Sequence, residues 1–197
     1  GVEGGDRCVK SVFFTFSDKG ELRNSKTSES VIFSDKRLTY EQAGLFLKEN
    51  NISKIRSAKP PPSRYSGNPG KPLDQLDDSL LNNLQKSIRK IASIAAVLRK
   101  DRMLKGALDL ESSEVKILVD KKGEPEQILQ SESDESHHMI EEFMLLANET
   151  VAKEIRKKKR SGIFRVHPDP DPEKQEELRG FLKLFGISCG ELTGRKE

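Results

Sequence analysis

Apolar residues recur at three- and four-residue steps along some stretches of this chain and alternate with polar ones along others. That contrast predicts its elements. In residues 135–158, Ile140, Phe143, Met144, Ala147, Val151 and Ile155 share one helical face, and Leu145 and Leu146 widen it. A stripe this wide exceeds what a surface helix needs, so the helix is expected to be buried on most sides. Glu141 lies at the stripe's edge, where a carboxylate is solvated, paired with a cation or aimed at a ligand. A second helical period runs through Leu73, Leu76, Leu80, Leu84, Ile88, Ile91, Ala95 and Leu98 to about Leu104, with Gly106 at the capping position beyond it.

Strand patterns flank these helices. Residues 9–16 are rich in β-branched and aromatic side chains, residues 17–20 carry turn chemistry, and residues 21–31 return as the second strand of a hairpin. Val115, Ile117 and Val119 alternate, a turn follows at Gly123, and residues 125–129 come back. Residues 162–166, Gly-Ile-Phe-Arg-Val, read as a buried strand. Thr39 with Gln42 forms a capping-box signature for a short helix running toward Asn50, which places Tyr40 in its first turn. Asp171 and Pro172 open a further helix that carries Leu178, Phe181, Leu182 and Phe185 and stops at Gly186. Between the first short helix and the long one, the Pro-rich residues at about 58–72 sustain neither helix nor central strand and read as an exposed loop. The predicted class is α+β, with mixed helices and mainly antiparallel strands.

Composition narrows the function classes. The 197 residues are 34% hydrophobic and 34% charged, with no Trp and a net charge of +3, polar for a compact domain but with the apolar residues clustered. Charge is uneven: six of the eight residues 153–160 are Lys or Arg, whereas residues 124–142 are acidic. A basic helix end can contact phosphates, but it also complements the helix dipole, so charge alone names no partner. Arg99, Lys100, Arg102 and Lys105 pose the same choice at the end of the long helix. Cys8 and Cys189 stand in no metal or redox spacing, which fits reduced thiols and a cytoplasmic setting. No apolar run approaches the roughly 20 residues that span a bilayer, and no signal peptide is evident. The start without Met and the end soon after a helix suggest a section of a larger protein.

Few constellations point to chemistry. His137 and His138 lie among Asp134, Glu135, Glu141 and Glu142, with His138 and Glu142 one helical turn apart. The His-Glu-x-x-His order of a metalloprotease is missing, so a polar helix start explains these residues better than a metal site. Neither a phosphate-binding Gly-x-x-x-x-Gly-Lys loop nor a Gly-x-Ser-x-Gly elbow occurs. From the residues alone, Tyr40 is a core residue at a helix start and Glu141 a structural ion pair.

In order along the chain stand Asp6-Arg7, Lys10-Ser-Val-Phe-Phe14, Arg37-Leu-Thr-Tyr-Glu-Gln-Ala43, Leu98-Arg99 with Arg102, Gly106-Ala-Leu-Asp-Leu110, Ile140-Glu-Glu-Phe-Met-Leu-Leu-Ala-Asn148, Arg165-Val-His-Pro168, Phe181-Leu182 and Phe185-Gly186. This series resembles the central part of the RNB catalytic domain of the RNase II and RNase R family, over nearly the whole chain. The resemblance implies that residues 1–197 are the central section of an RNB-type domain from a processive 3′ to 5′ exoribonuclease. Such an enzyme hydrolyses single-stranded RNA to nucleoside 5′-monophosphates with Mg²⁺. The family's catalytic Asp cluster is expected upstream of residue 1, its phosphate-stabilising Arg beyond residue 197, and OB-fold RNA-binding domains elsewhere in the full-length protein. This chain is therefore expected to be inactive alone. The resemblance further implies that Tyr40 contacts RNA near its 3′ end and that Glu141 helps favour ribose over deoxyribose. Leu110 stands where many members carry an aromatic that stacks on terminal bases, and Leu offers no π-face for that purpose. A non-catalytic RNA-binding homologue and a scaffold domain of the same fold are the rival expectations.

Overall fold

In the computed structural model, which describes residues 3–58, 70–108, 114–120, 122–131, 134–166 and 168–189, the chain opens with an antiparallel hairpin. Strand β1 (Asp6–Phe16) pairs with β2 (Leu22–Phe33), Val12 facing Thr27, with a register shift at Thr15/Phe16. Gly20 closes the turn at φ +81°, where a Cβ would meet Val97 at 3.1 Å, so this position suits glycine on both conformational and steric grounds. A second hairpin joins β3 (Glu114–Val119) to β4 (Pro125–Ser131), with Ile117 facing Ile128. The predicted strand at residues 162–166 does not form: the segment has no regular structure and Ile163 is fully exposed. An apolar run becomes a strand only when another backbone accepts from its N–H groups and donates to its C=O groups, and both described sheets are two-stranded hairpins.

Helix α1 (Tyr40–Lys48) starts as its sequence predicts. Thr39 Oγ1 accepts from Gln42 N–H, and the Gln42 side chain accepts from Thr39 N–H at 3.0 Å. The helix stops at Lys48 rather than Asn50, and a separate short helix, α2 (Ile52–Ser57), follows with Asn51 as its cap. The long helix α3 runs Asp78–Leu104, later in the chain than the apolar period suggests, because Asp77 caps it by accepting from Leu80 N–H at 2.7 Å. Leu73 and Leu76 therefore belong to a 3₁₀ turn (Leu73–Gln75) and its C-cap, where both are still buried. Gly106, at φ +93°, follows the end of α3.

The core gathers Phe46 of α1, Ile55 of α2, Leu73 and Leu76, Leu81, Ile88, Ala92 and Ala95 of α3, and Met139. Polar side chains on α3 also serve α1. Arg89 Nε donates to Phe46 O at 3.0 Å, and Arg89 Nη2 and Gln85 Nε2 donate to Glu49 O at 2.8 and 2.7 Å. Carbonyls at a helix end have no partner within the helix, so these bonds fix where α1 meets α3.

The chain divides into two compact units, residues 1–154 and 155–197. Helix α4 (Glu135–Lys157) contributes most of its length to the first. It buries Ser136, Met139 and Glu142 and leaves Ile140, Met144, Leu145 and Val151 exposed, so it is not enclosed on most sides. Periodicity reports that a helix has an apolar face; it does not report whether a neighbour covers that face. In the second unit, α5 (Pro172–Leu184) begins at Asp171, which accepts from Glu173 N–H at 3.0 Å, and carries the Phe181–Phe185 ring pair at 5.0 Å.

Candidate functional site

Two basic residues three apart on α3, Arg99 and Arg102, face two consecutive carboxylates on α4, Glu141 and Glu142. Ala92 and Ala95 of α3 and Met139 of α4 are buried in one hydrophobic core. One turn beyond Met139, Glu142 stays on the buried face, its side chain 3% exposed. A carboxylate so enclosed requires cationic donors. Arg102 supplies them: Nη2 reaches Glu142 Oε1 at 2.6 Å, and Nε lies 3.1 and 3.2 Å from the two carboxylate oxygens. Arg99 Nη1 adds a longer contact at 3.9 Å. Much of the basic cluster at the end of α3 thus faces an acidic partner within the fold.

Glu141, one residue earlier and about 100° around the helix, is half-exposed, with Oε1 3.4 Å from Arg102 Nη2. One guanidinium therefore faces both carboxylates, holding the buried one closely and the exposed one loosely. Beside this cluster, the hairpin turn at Gly20, the end of α3 and the middle of α4 enclose a groove of about 750 Å³ lined in part by Arg102, Glu142 and Leu146. Farther along that groove, Lys105 pairs with Asp101 at 2.6 Å and Lys153 with Glu149 at 3.0 Å. Both pairs are solvent-exposed, and such pairs stabilise little.

The N-terminal end of α4 holds Tyr40. Asp134 stands at its start, Oδ1 accepting from Ser136 N–H at 3.0 Å and His137 N–H at 3.3 Å, with His137 Nδ1 at 2.8 Å. Burial pushes the Asp134 carboxyl up, but the Ser136 and His137 hydrogen bonds outweigh it and bring it down to about 2. The buried Ser136 hydroxyl, which donates to Asp134 Oδ1, also lies 3.1 Å from Tyr40 O. The Tyr40 ring stacks on His137, centroids 3.9 Å apart and planes inclined by 18°. His137 lies four residues before Glu141, so the two occupy neighbouring positions on one face of α4.

Tyr40 and Glu141, far apart in sequence, are thereby brought to the same stretch of α4. Leu110 lies outside the described residues. His137 has a role as Tyr40's stacking partner that its sequence neighbourhood does not announce, since that neighbourhood suggests a polar helix start or a metal ligand. Among the described residues, no group of three or more His, Cys, Asp or Glu side chains could hold a metal ion. Cys8 and Cys189 are both free thiols.

A family model for the RNB domain matches residues 2–194. Ribonuclease R 2 of Lactococcus lactis is 33% identical over 186 residues, 94% of this chain and 25% of that protein. Ribonuclease R of Thermotoga maritima is 33% identical over 187 residues, 94% of this chain and 23% of its own length. The chain thus spans about a quarter of the length of these two curated relatives. Among solved structures, Mycoplasma genitalium RNase R in complex with ribose methylated single-stranded RNA superposes with a TM-score of 0.72 at 24% identity. That likeness covers 97% of this chain and 26% of the other, and it is one of fold.

Proposed function

The chain belongs to the RNB domain family, and from that premise we propose that it is the central section of the catalytic domain of a processive 3′ to 5′ exoribonuclease. The full-length protein hydrolyses single-stranded RNA to nucleoside 5′-monophosphates in this reading. The observation that carries it is the RNB match from residue 2 to residue 194. The relatives named ribonuclease R, and the RNase R structure holding single-stranded RNA, support RNA as the partner.

Tyr40 and Glu141 are the substrate-binding residues proposed here. Both are partly exposed, and the Tyr40 ring, from α1, stacks on His137 one turn before Glu141 on α4, which supports this. A ribose 2′-hydroxyl donates to the Glu141 carboxylate, whereas deoxyribose leaves that acceptor without its donor and loses the corresponding hydrogen bond. Tyr40, backed by His137, presents its ring and hydroxyl toward the 3′ end. Leu110 provides apolar contact without base stacking.

Mg²⁺ is the proposed cofactor; when bound it activates water and neutralises charge on the phosphate. The described residues do not fit it, because Glu141 and Glu142 already face Arg102, and its ligands are assigned to the rest of the full-length protein. OB-fold RNA-binding domains belong there too. No helix among the described residues is long and apolar enough to cross a membrane, and free cysteines accord with a cytoplasmic setting.

Single-stranded RNA labelled at its 5′ end, incubated with the full-length protein and Mg²⁺, is expected to shorten stepwise from the 3′ end. RNA that stays intact or is cut internally contradicts the proposal.

A further inference from the structure

A carboxylate that discriminates a single hydroxyl must be held within about half an ångström of its working position. Glu141 is half-exposed, and its side-chain contact is with α3 and not with its own helix, Oε1 lying 3.4 Å from Arg102 Nη2. Exposed ion pairs with flexible partners do little to hold a carboxylate in place. Arg102 is a different kind of partner. Nε and Nη2 both engage Glu142, whose side chain is 3% exposed and lies within 3.9 Å of Arg99 as well, so the plane of the guanidinium is set by the core before Glu141 is considered. The outer edge of that plane reaches Glu141 Oε1 through Nη2 at 3.4 Å. Only arginine carries rigid donors that can hold one carboxylate with two nitrogens and still face a second; lysine is a single point charge on a flexible stem.

We infer that Arg102, anchored by buried Glu142, is a positioning residue for the ribose-reading carboxylate Glu141, so that selectivity for ribose depends on an arginine that need not touch the RNA. The inference rests on the reading of Glu141 given above. It assigns distinct tasks to the paired carboxylates, Glu142 holding the arginine and the arginine holding Glu141.

The test uses the full-length protein and two substrates of one sequence, an all-ribose RNA and the same RNA with 2′-deoxyribose at its 3′-terminal nucleotides. The ratio of their kcat/KM values is measured for the wild type, Glu141→Ala, Arg102→Lys and the double variant, with thermal unfolding of each as a check on folding. Arg102→Lys is expected to lower the ratio about five- to tenfold, part of what a charge-assisted hydrogen bond contributes. In the Glu141→Ala background the same change is expected to alter the ratio less than about twofold, since residues acting through one another are not additive. An arginine with a purely structural role would lower both kcat/KM values together and leave the ratio unmoved. An unchanged ratio in Arg102→Lys, or an equal drop in both backgrounds, overturns the inference while leaving the role of Glu141 in place. An unchanged ratio in Glu141→Ala removes that role and the inference with it.

Discussion

Gly70 stands at φ +74°, and a Cβ there would fall 1.8 Å from Glu3 Oε2. Glu3 in turn accepts from Lys36 Nζ at 2.8 Å, Arg37 N–H at 2.9 Å and Lys71 N–H at 3.1 Å, in a pocket where the Lys36 side chain is wholly buried. Gly70→Ala combines a strained backbone with a collision and is expected to destabilise by about 2–3 kcal/mol, measured by urea unfolding; a change under about 0.5 kcal/mol would refute the clash. Burial pushes the Glu3 carboxyl up, but the Lys36, Arg37 and Lys71 hydrogen bonds outweigh it, leaving it below its ordinary value of 4.5. Glu3 therefore contributes stability above about pH 4.5, lost as pH falls through the lowered value. Asp134 behaves alike, its contribution fading between about 4 and 2. Replacing both by their amides should flatten the acid limb of a stability-versus-pH curve, and an unaltered limb would contradict the linkage. The paired glutamates separate as sharply. Glu142→Ala leaves Arg102 short of its buried partner and should cost about 2–4 kcal/mol, whereas Glu141→Ala, at the surface, should stay within about 0.5 kcal/mol. That Glu141 sits at an apolar edge was legible in the sequence. The stacking of Tyr40 on His137 was not, because no local pattern reports a contact across 97 positions.

At the scale of elements, local chemistry was the readable part. The Thr39–Gln42 capping box, the Asp171–Pro172 start and both hairpins appear where turn and cap residues place them. What depends on distant partners was less visible: α3 begins at its Asp77 cap and not at Leu73, residues 162–166 pair with no strand among the described residues, and α4 leaves much of its apolar face exposed. These are one lesson, since caps act within a turn whereas burial needs a second element. Thr39→Ala should cost about 1 kcal/mol through the lost cap. Leu81→Ala, at a fully buried position on α3, should cost about 2–5 kcal/mol by loss of burial and creation of a cavity. Equal costs for the two in chemical denaturation would mean that the core is not centred on α3.

For the whole molecule, the family assignment rests on residues 2–194, and the chain spans 25% of the length of Ribonuclease R 2 of Lactococcus lactis. In the proposed reading the candidate site is a substrate-reading surface, where Tyr40 of α1 and Arg102 of α3 both meet α4, which carries Glu141, and the described residues form no metal-binding group. Reading and cutting are thus assigned to different parts of one protein. The most direct measurement of that claim is degradation of 5′-labelled single-stranded RNA in Mg²⁺ by the full-length protein and by residues 1–197 side by side. Stepwise shortening from the 3′ end by the full-length protein, and none by residues 1–197, is the predicted result; no shortening by the full-length protein, or shortening by residues 1–197 alone, would contradict it.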